Sequence, residues 1–384
     1  MLPLPPSQAW KNDTRRLIDP KNPDKSEEAI FDELVQRVVA RIEKHKPQNS
    51  NETLRGFHAK IHAGVMGEFK VLDNLPDAAK FGVFAQPAVY PAFVRFSNGE
   101  SDLRADTKPQ PRGIAMKLVG VPGSAEQRLD EAMHAATQDF LATSHSLTSI
   151  VRNVVQFFDV LEVTTGDGDA DPLQRIRLAL ENPVEAVRIA SRLGTDVLLP
   201  RVDSMATECF SGTAAVQCDN FAIKFLIHPS TNGKDADHEK HENHPDYLRR
   251  DLGERLRSGD VRFDFSAQFY VDSEQTPIED TSVAWSENVS PLYKLAELRI
   301  PQCDIDSPAG EKLTRLVDRL SFSPWHGLKV HEPLGNVMRA RRRAYPKSAA
   351  MRASLPEPTR ADGGGSLSDG GTAESLRACV QLAT

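Results

Sequence analysis

The sequence predicts an α+β fold carried by one large domain. Three observations carry that prediction. A long segment near the start has apolar residues at helical spacing. Two separate stretches hold short apolar runs split by turn residues. Nothing in the order of these blocks alternates strand, helix, strand, so a parallel βαβ layout is excluded.

Residues 1–25 are rich in Pro, Asn, Asp and Lys and read as an extended arm. The domain proper is expected over 26–352, opening with a helix over 26–45. Ile30, Leu34, Val38 and Ile42 recur every four residues there, which places them on one face. Asp24 with Glu27, or Ser26 alone, supplies its start signal. From about 55 to 120 the runs Phe69–Leu72, Ala92–Phe96 and Ile114–Leu118 read as strands. Residues 125–195 return to helical spacing, as in Leu173, Ile176 and Leu180, with a break at Asn182-Pro183. Residues 205–300 read as strands again, most clearly at Ala222–Ile227 and Arg262–Val271, and a short helix follows over 309–320. The tail, 353–384, carries Gly363-Gly364-Gly365-Ser366 and too few apolar groups for a core, and is expected to be disordered.

Composition narrows the function. Acidic residues outnumber basic ones, 54 to 47, for a net charge of −7. Such a chain repels a phosphate backbone unless its cations are gathered in one patch, so nucleic acid is not an expected partner. No apolar stretch reaches the ~20 residues of a membrane span, and the Pro-rich start lacks the pattern of a secretion signal. A cytoplasmic location is expected. Cys209, Cys218, Cys303 and Cys379 are too scattered for a zinc site or a disulfide framework, and Cys209 and Cys218 read as buried thiols.

One dense basic run stands out, Arg339 and Arg341-Arg342-Arg343, followed by Ala344-Tyr345-Pro346. Tyr345 lies four residues after Arg341, one helical turn on and on the same face. A cation beside a phenol favours the phenolate. A phenolate is a hard anionic oxygen donor, and tyrosine is one of the recognised proximal ligands of haem iron. A solvated basic helix end with a chance tyrosine is the plainer alternative. Two further blocks are Arg55-Gly56-Phe57-His58-Ala59-Lys60 and Val94-Arg95-Phe96-Ser97, the latter followed by Asp106-Thr107 and Pro111-Arg112-Gly113-Ile114-Ala115-Met116-Lys117.

Taken together and in this order, these blocks resemble the catalase family, and Phe322-Ser323-Pro324-Trp325-His326 with Pro333-Leu334-Gly335 resembles its short catalase-related members. The resemblance covers residues 50–160 and 322–352 well and 220–300 loosely. It implies an antiparallel β-barrel with helices packed around it, and haem b wedged between the barrel and the helix bearing Tyr345. It implies His58 as distal acid–base, Ser97 as its orienting partner, Tyr345 as proximal iron ligand and Arg341 as the cation that keeps it a phenolate. Arg55, Arg95 and Arg352 match arginines that pair with the haem propionates, and Phe157 falls near an aromatic that stacks over the haem. The implied activity is reaction with H₂O₂ or an organic hydroperoxide, and a homodimer or other homo-oligomer is expected.

The pattern is broken where the family has a distal asparagine: this chain has Thr143. Threonine is shorter and has one hydroxyl donor, which favours peroxidase chemistry over efficient disproportionation. A fatty-acid hydroperoxide isomerase or lyase, of the allene oxide synthase kind, and a non-enzymatic haem-binding or sensing protein are the alternatives. His62, one turn beyond His58, rivals it for the distal role. His238, His241 and His244 have a spacing that suits a metal, yet their dense charge and Pro245 read as a solvated loop. His228 and Trp285 read as structural.

Overall fold

The computed structural model describes residues 8–46, 53–108, 110–129, 136–144, 151–157, 202–212, 214–230 and 243–352. The break at Asn182-Pro183, His238, His241, Cys379 and the tail lie outside the described residues.

The body is an antiparallel sheet closed into a barrel. Its strands are β1 (Ile61–Val71), β2 (Val89–Asn98), β3 (Arg112–Val119), β4 (Thr137–Thr143), β5 (Phe210–Ser211), β6 (Val216–Cys218), β7 (Phe221–Pro229), β8 (Val261–Phe269) and β9 (Tyr293–Ile300). They run in the order β5-β4-β3-β2-β1-β9-β8-β7, and β5 also pairs with β7, so eight strands close on themselves. β6 pairs on the far side of β7. Closure removes the open edges that an antiparallel sheet otherwise exposes.

Alternation along each strand separates two functions. Ala92, Val94 and Phe96 of β2, with Ile114, Met116 and Leu118 of β3 and Phe140 of β4, point inward. Phenylalanines fill the interior. The Phe265 ring lies 5.3 Å from Phe69, 5.0 Å from Phe140 and 5.1 Å from Phe225, the last pair stacked at 15°. The residues between them, Phe93, Arg95 and Ser97 of β2, and Gly113, Ala115 and Lys117 of β3, face outward.

Helices cover that outer face. Helix α1 (Glu27–Lys44) starts at Ser26, whose hydroxyl accepts from the Ala29 amide, and buries Ile30, Leu34, Val38 and Ile42 as the spacing predicts. Helix α2 (Tyr247–Ser258) buries Leu248, Leu252 and Leu256. Helix α3 (Pro308–Arg319) lies on β1, and its Val317, with Leu320 and Phe322 just beyond its end, covers Phe93 and Val119. It approaches so closely that a Cβ on Gly64 would sit 2.5 Å from Val317 Cβ. Helix α4 (Asn336–Met351) packs on α1 through Ala340, Val337 and Met351.

Three sequence readings need correction. β4 falls within residues 125–195, which read as helical, and α2 falls within 205–300, which read as strands. Tertiary partners explain β4: Gln138 and Asp139 are polar but buried, Gln138 accepting from the Leu328 amide at 3.0 Å and Asp139 pairing with Lys117. Cys218 is buried as expected, whereas Cys209 is exposed, at the approach to the two-residue strand β5. Trp285 is fully buried, and His228 bonds Ser266 at 2.9 Å. Residues 8–25 dock on the body: Trp10 is buried and its indole N–H donates to the Asn220 carbonyl at 3.0 Å.

Candidate active site on the outer face of the barrel

The pairing register assembles one row of residues across the sheet. Ser97 lies opposite Ile61 and Gly113, Gly113 opposite Thr143, and Thr143 opposite Ser211. Directly paired residues share a face, so Ser97, Gly113 and Thr143 all present outward, toward the helices.

His58 sits over this row. Its backbone is left-handed, φ 57°, a conformation that costs most residues free energy and persists where neighbours enforce it. Here three bonds enforce it. The His58 amide donates to the Gly99 carbonyl at 2.9 Å. Arg95 Nη2 donates to the His58 carbonyl at 2.8 Å. The ring Nδ1 lies 3.2 Å from Ser97 Oγ. Arg95 and Ser97 are alternate residues of β2, so one strand face holds both ends of the histidine. Gly113 supplies bare backbone beneath the ring.

Burial first, then the charges of Arg95, Arg341 and Arg55, push the His58 pKa down to about 3. The imidazole is therefore neutral over the ordinary pH range. In the tautomer that carries its proton on Nδ1, that N–H donates to Ser97 Oγ and Nε2 is left as a proton acceptor.

His62 is in a different setting. It is fully buried, and its Nε2 bonds Asn98 Oδ1 at 2.8 Å. Asn98 Nδ2 donates to Asp106 Oδ1 at 2.9 Å, and Lys60 Nζ donates to the same oxygen at 2.7 Å. Burial, opposed by Asp106 and Asn98, lowers the His62 pKa to about 4. Its side chain belongs to a packed polar network rather than to the row of Ser97 and Thr143.

On α4, Arg341 Nε donates to the Tyr345 hydroxyl oxygen at 3.1 Å, and Nη2 donates to it as well. The other arginines of the basic run are each engaged elsewhere. Arg339 bridges Glu27 and Glu279, Arg342 lies 4.7 Å over the Trp325 ring, and Arg343 pairs with Asp32. Pro346 has no N–H, so the helix bond to the Arg342 carbonyl, in the turn before it, is not made.

Arg55 and Arg95 converge on a single carboxylate, Asp318 of α3, and Arg352 lies near enough to feel its charge. Arg95 Nε and Nη2 reach Asp318 Oδ1 at 3.0 and 2.9 Å, and Arg55 Nε lies 3.7 Å from it. Arg55 Nη2 also donates to the carbonyls of Asp318 and Leu320. Burial opposes ionisation of Asp318, but Arg95 and Arg55 outweigh it and hold the carboxyl below its ordinary range. Burial and the charge of Arg95 depress Arg352, to about 10. Arg55 feels burial, Arg95 and Arg352 in the same direction, and Tyr345 in the opposite one. Arg55 Nε and Arg352 Nε are buried without a hydrogen-bond partner. Three guanidiniums and one carboxylate leave an excess of two positive charges, with donors to spare. The arrangement suits a ligand carrying two anionic groups.

Phe157 packs on Phe57 with ring centroids 5.7 Å apart, and Arg41 lies 5.2 Å over the Phe57 ring. Among the described residues no group of three or more His, Cys, Asp or Glu side chains is placed to hold a metal ion. His244 instead accepts from the Asp246 amide at 3.0 Å. No described helix is long and apolar enough to cross a membrane. Sequence reasoning missed Asp318, which carries no motif; its place on a predicted helix was the only available signal.

No family model matches the chain. An uncharacterised protein, y4iK of Sinorhizobium fredii (strain NBRC 101917 / NGR234), is 29% identical over 144 residues, which span 34% of this chain and 57% of that protein. Solved structures resemble the fold over far more of the chain. A bacterial catalase superposes with a TM-score of 0.59 at 16% identity, covering 96% of this chain and 74% of that one. Catalase A from Saccharomyces cerevisiae gives 0.60 at 17% identity, covering 88% and 67%. A fungal catalase gives 0.61 at 18% identity, covering 89% and 66%. The fold is therefore catalase-like: an antiparallel β-barrel wrapped by helices.

Proposed function

We propose that the protein is a haem-dependent enzyme that reacts with peroxides as a catalase-like peroxidase. One observation carries the reading. The half-buried, neutral, serine-held His58 and the Arg341–Tyr345 pair share their surroundings with three arginines that have an excess of two positive charges. Haem b fits that donor set. Its two propionates match the surplus charge and the Nε atoms of Arg55 and Arg352, which lack hydrogen-bond partners. Tyr345 would ligate the iron, and Arg341 would stabilise the phenolate form of the ligand.

When bound, the haem supplies the iron centre at which the peroxide O–O bond is broken. This chain's residues handle protons and position. His58 Nε2 accepts the proton of the hydroperoxide O–H and returns it to the leaving oxygen. Ser97 would hold the ring in place through Nδ1. Thr143, across the strand pair from Gly113, presents its side chain to the same outer face.

Thr143 also favours a second reading. A single short hydroxyl in place of an amide donor weakens the case for H₂O₂ disproportionation. A fatty-acid hydroperoxide isomerase or lyase needs no second substrate and releases an epoxide or an aldehyde.

The experiment is an absorption spectrum of the purified protein supplied with haem, taken before and after H₂O₂ and after an organic hydroperoxide. The expected result is a ferric tyrosinate-type spectrum that changes on peroxide addition. Oxygen release, oxidation of a donor dye, and an epoxide or aldehyde product then distinguish catalase, peroxidase and isomerase or lyase. No Soret band with haem supplied removes the proposal.

A further inference from the structure

The distal histidine is held from one side by a residue that touches neither it nor any part of its ring. Arg95 is the link. Its Nη2 donates to the carbonyl of His58 at 2.8 Å, and its Nε and Nη2 both reach Asp318 Oδ1. A guanidinium is a planar fork, so fixing two of its nitrogens on one oxygen fixes the direction of the rest. Arg95 is 3% exposed and cannot re-form these bonds with water. Asp318 is itself fixed, because Arg55 Nη2 clamps the carbonyls of Asp318 and Leu320 where α3 ends.

We propose that Asp318 is a positioning residue for His58: through Arg95 it holds the left-handed backbone that aims the imidazole, and it ties that aim to the arginine cluster. The inference rests on the haem reading above. The path runs Asp318 carboxylate, Arg95 guanidinium, His58 carbonyl. Ser97, two residues along β2 from Arg95, meets the ring of the same histidine. Loss of the carboxylate frees Arg95 to swing toward other acceptors and releases the left-handed turn. The ring then loses its aim while its burial and chemical identity are unchanged.

The test uses cyanide association with the haem-loaded full chain, followed at the Soret band. Hydrogen cyanide must surrender its proton on binding, so the rate reports how well the distal base is placed without requiring turnover. Asp318→Ala is expected to keep the Soret band and slow association about tenfold, against about a hundredfold for His58→Ala. Asp318→Asn keeps an acceptor oxygen for Arg95 and is expected to stay within about twofold of the parent, since the bond rather than the charge positions the fork. A wild-type rate in Asp318→Ala with a full Soret band overturns the inference. So does an Asp318→Asn rate as slow as that of Asp318→Ala, which assigns the effect to charge. Should Asp318→Ala fail to retain haem, Asp318→Glu keeps the charge but displaces the carboxylate by one methylene. Slowing is expected there, and a wild-type rate overturns the inference. A parent protein with no Soret band removes the haem reading and this inference together.

Discussion

The ring of His58 rests on the backbone of Gly113 so closely that a Cβ there would lie 2.5 Å from both Nδ1 and Cε1. Only glycine leaves room for the imidazole to reach Ser97 from this position. Gly113→Ala is expected to displace the ring and slow peroxide cleavage by ~10²-fold, the usual share of a positioned acid–base group. The added methyl is expected to cost about 1–3 kcal/mol of stability, as overpacking does. Stopped-flow rates and a urea titration check the two effects separately.

Tyr345 receives two donors from Arg341 and has no comparable substitute on α4. Tyr345→Phe removes the oxygen and is expected to abolish or greatly weaken haem retention. Haem content per chain after gel filtration checks this. An unchanged content and an unchanged spectrum contradict the axial assignment.

His58 and His62 are one turn apart in sequence yet belong to different networks. His58→Ala is expected to leave haem bound and slow peroxide cleavage by ~10²-fold or more. His62→Ala removes a partner of Asn98 and is expected to act mainly on stability. Rates and melting temperatures of the two variants, side by side, check the assignment; the reverse outcome moves the distal role to His62.

Acid lability follows from three histidines that their surroundings hold neutral. Burial holds His58 at about 3, and His62 and His331 at about 4, against an ordinary value of 6.5. His331 accepts from the Val83 amide at 3.0 Å and is fixed as a neutral ring. Below their unfolded pKa of 6.5 these groups take up protons in the unfolded chain but not in the native one. Stability is therefore undiminished above that pH and falls as the pH drops toward about 4. Melting temperature measured from neutral to pH 4 checks this, and a flat profile contradicts it.

Lys117 and Asp139 form an ion pair with both side chains fully buried, each Asp139 oxygen 2.8 Å from Nζ. The Ser323 amide and the His326 ring also bond Asp139. Lys117→Met strands the carboxylate and is expected to cost about 3–5 kcal/mol, while Lys117→Met with Asp139→Leu is expected to recover much of the loss. Denaturant titrations of the single and double variants check the sign of the coupling.

The parts of this molecule that were legible in the sequence are those with local causes. Ile30, Leu34, Val38 and Ile42 announce α1 because a helix repeats near every fourth residue. Arg95 and Ser97 fall on one face because a strand repeats every second residue. Arg341 and Tyr345 meet because they are one turn apart. The same rule was available for α2, where Leu248, Leu252 and Leu256 recur every four residues among many charges. What was not legible depends on partners distant in the chain. β4 buries Gln138 and Asp139 because Leu328 and Lys117 meet them, and no local pattern reports that. Asp318 joins Arg55 and Arg95 only after α3 has crossed the barrel.

The alternation of β2 and β3 has a consequence for their register. Consecutive residues serve opposite faces, the phenylalanine-filled interior on one side and the candidate site on the other. A one-residue shift of register in either strand would exchange the two sets, sending Arg95 and Ser97 into the core and Val94 and Phe96 onto the outer face. A length change inside these strands that is not absorbed as a bulge therefore displaces core and candidate site in the same step. Single side-chain replacements on the outward face, and variation in the loops and helices laid over it, leave the interior untouched.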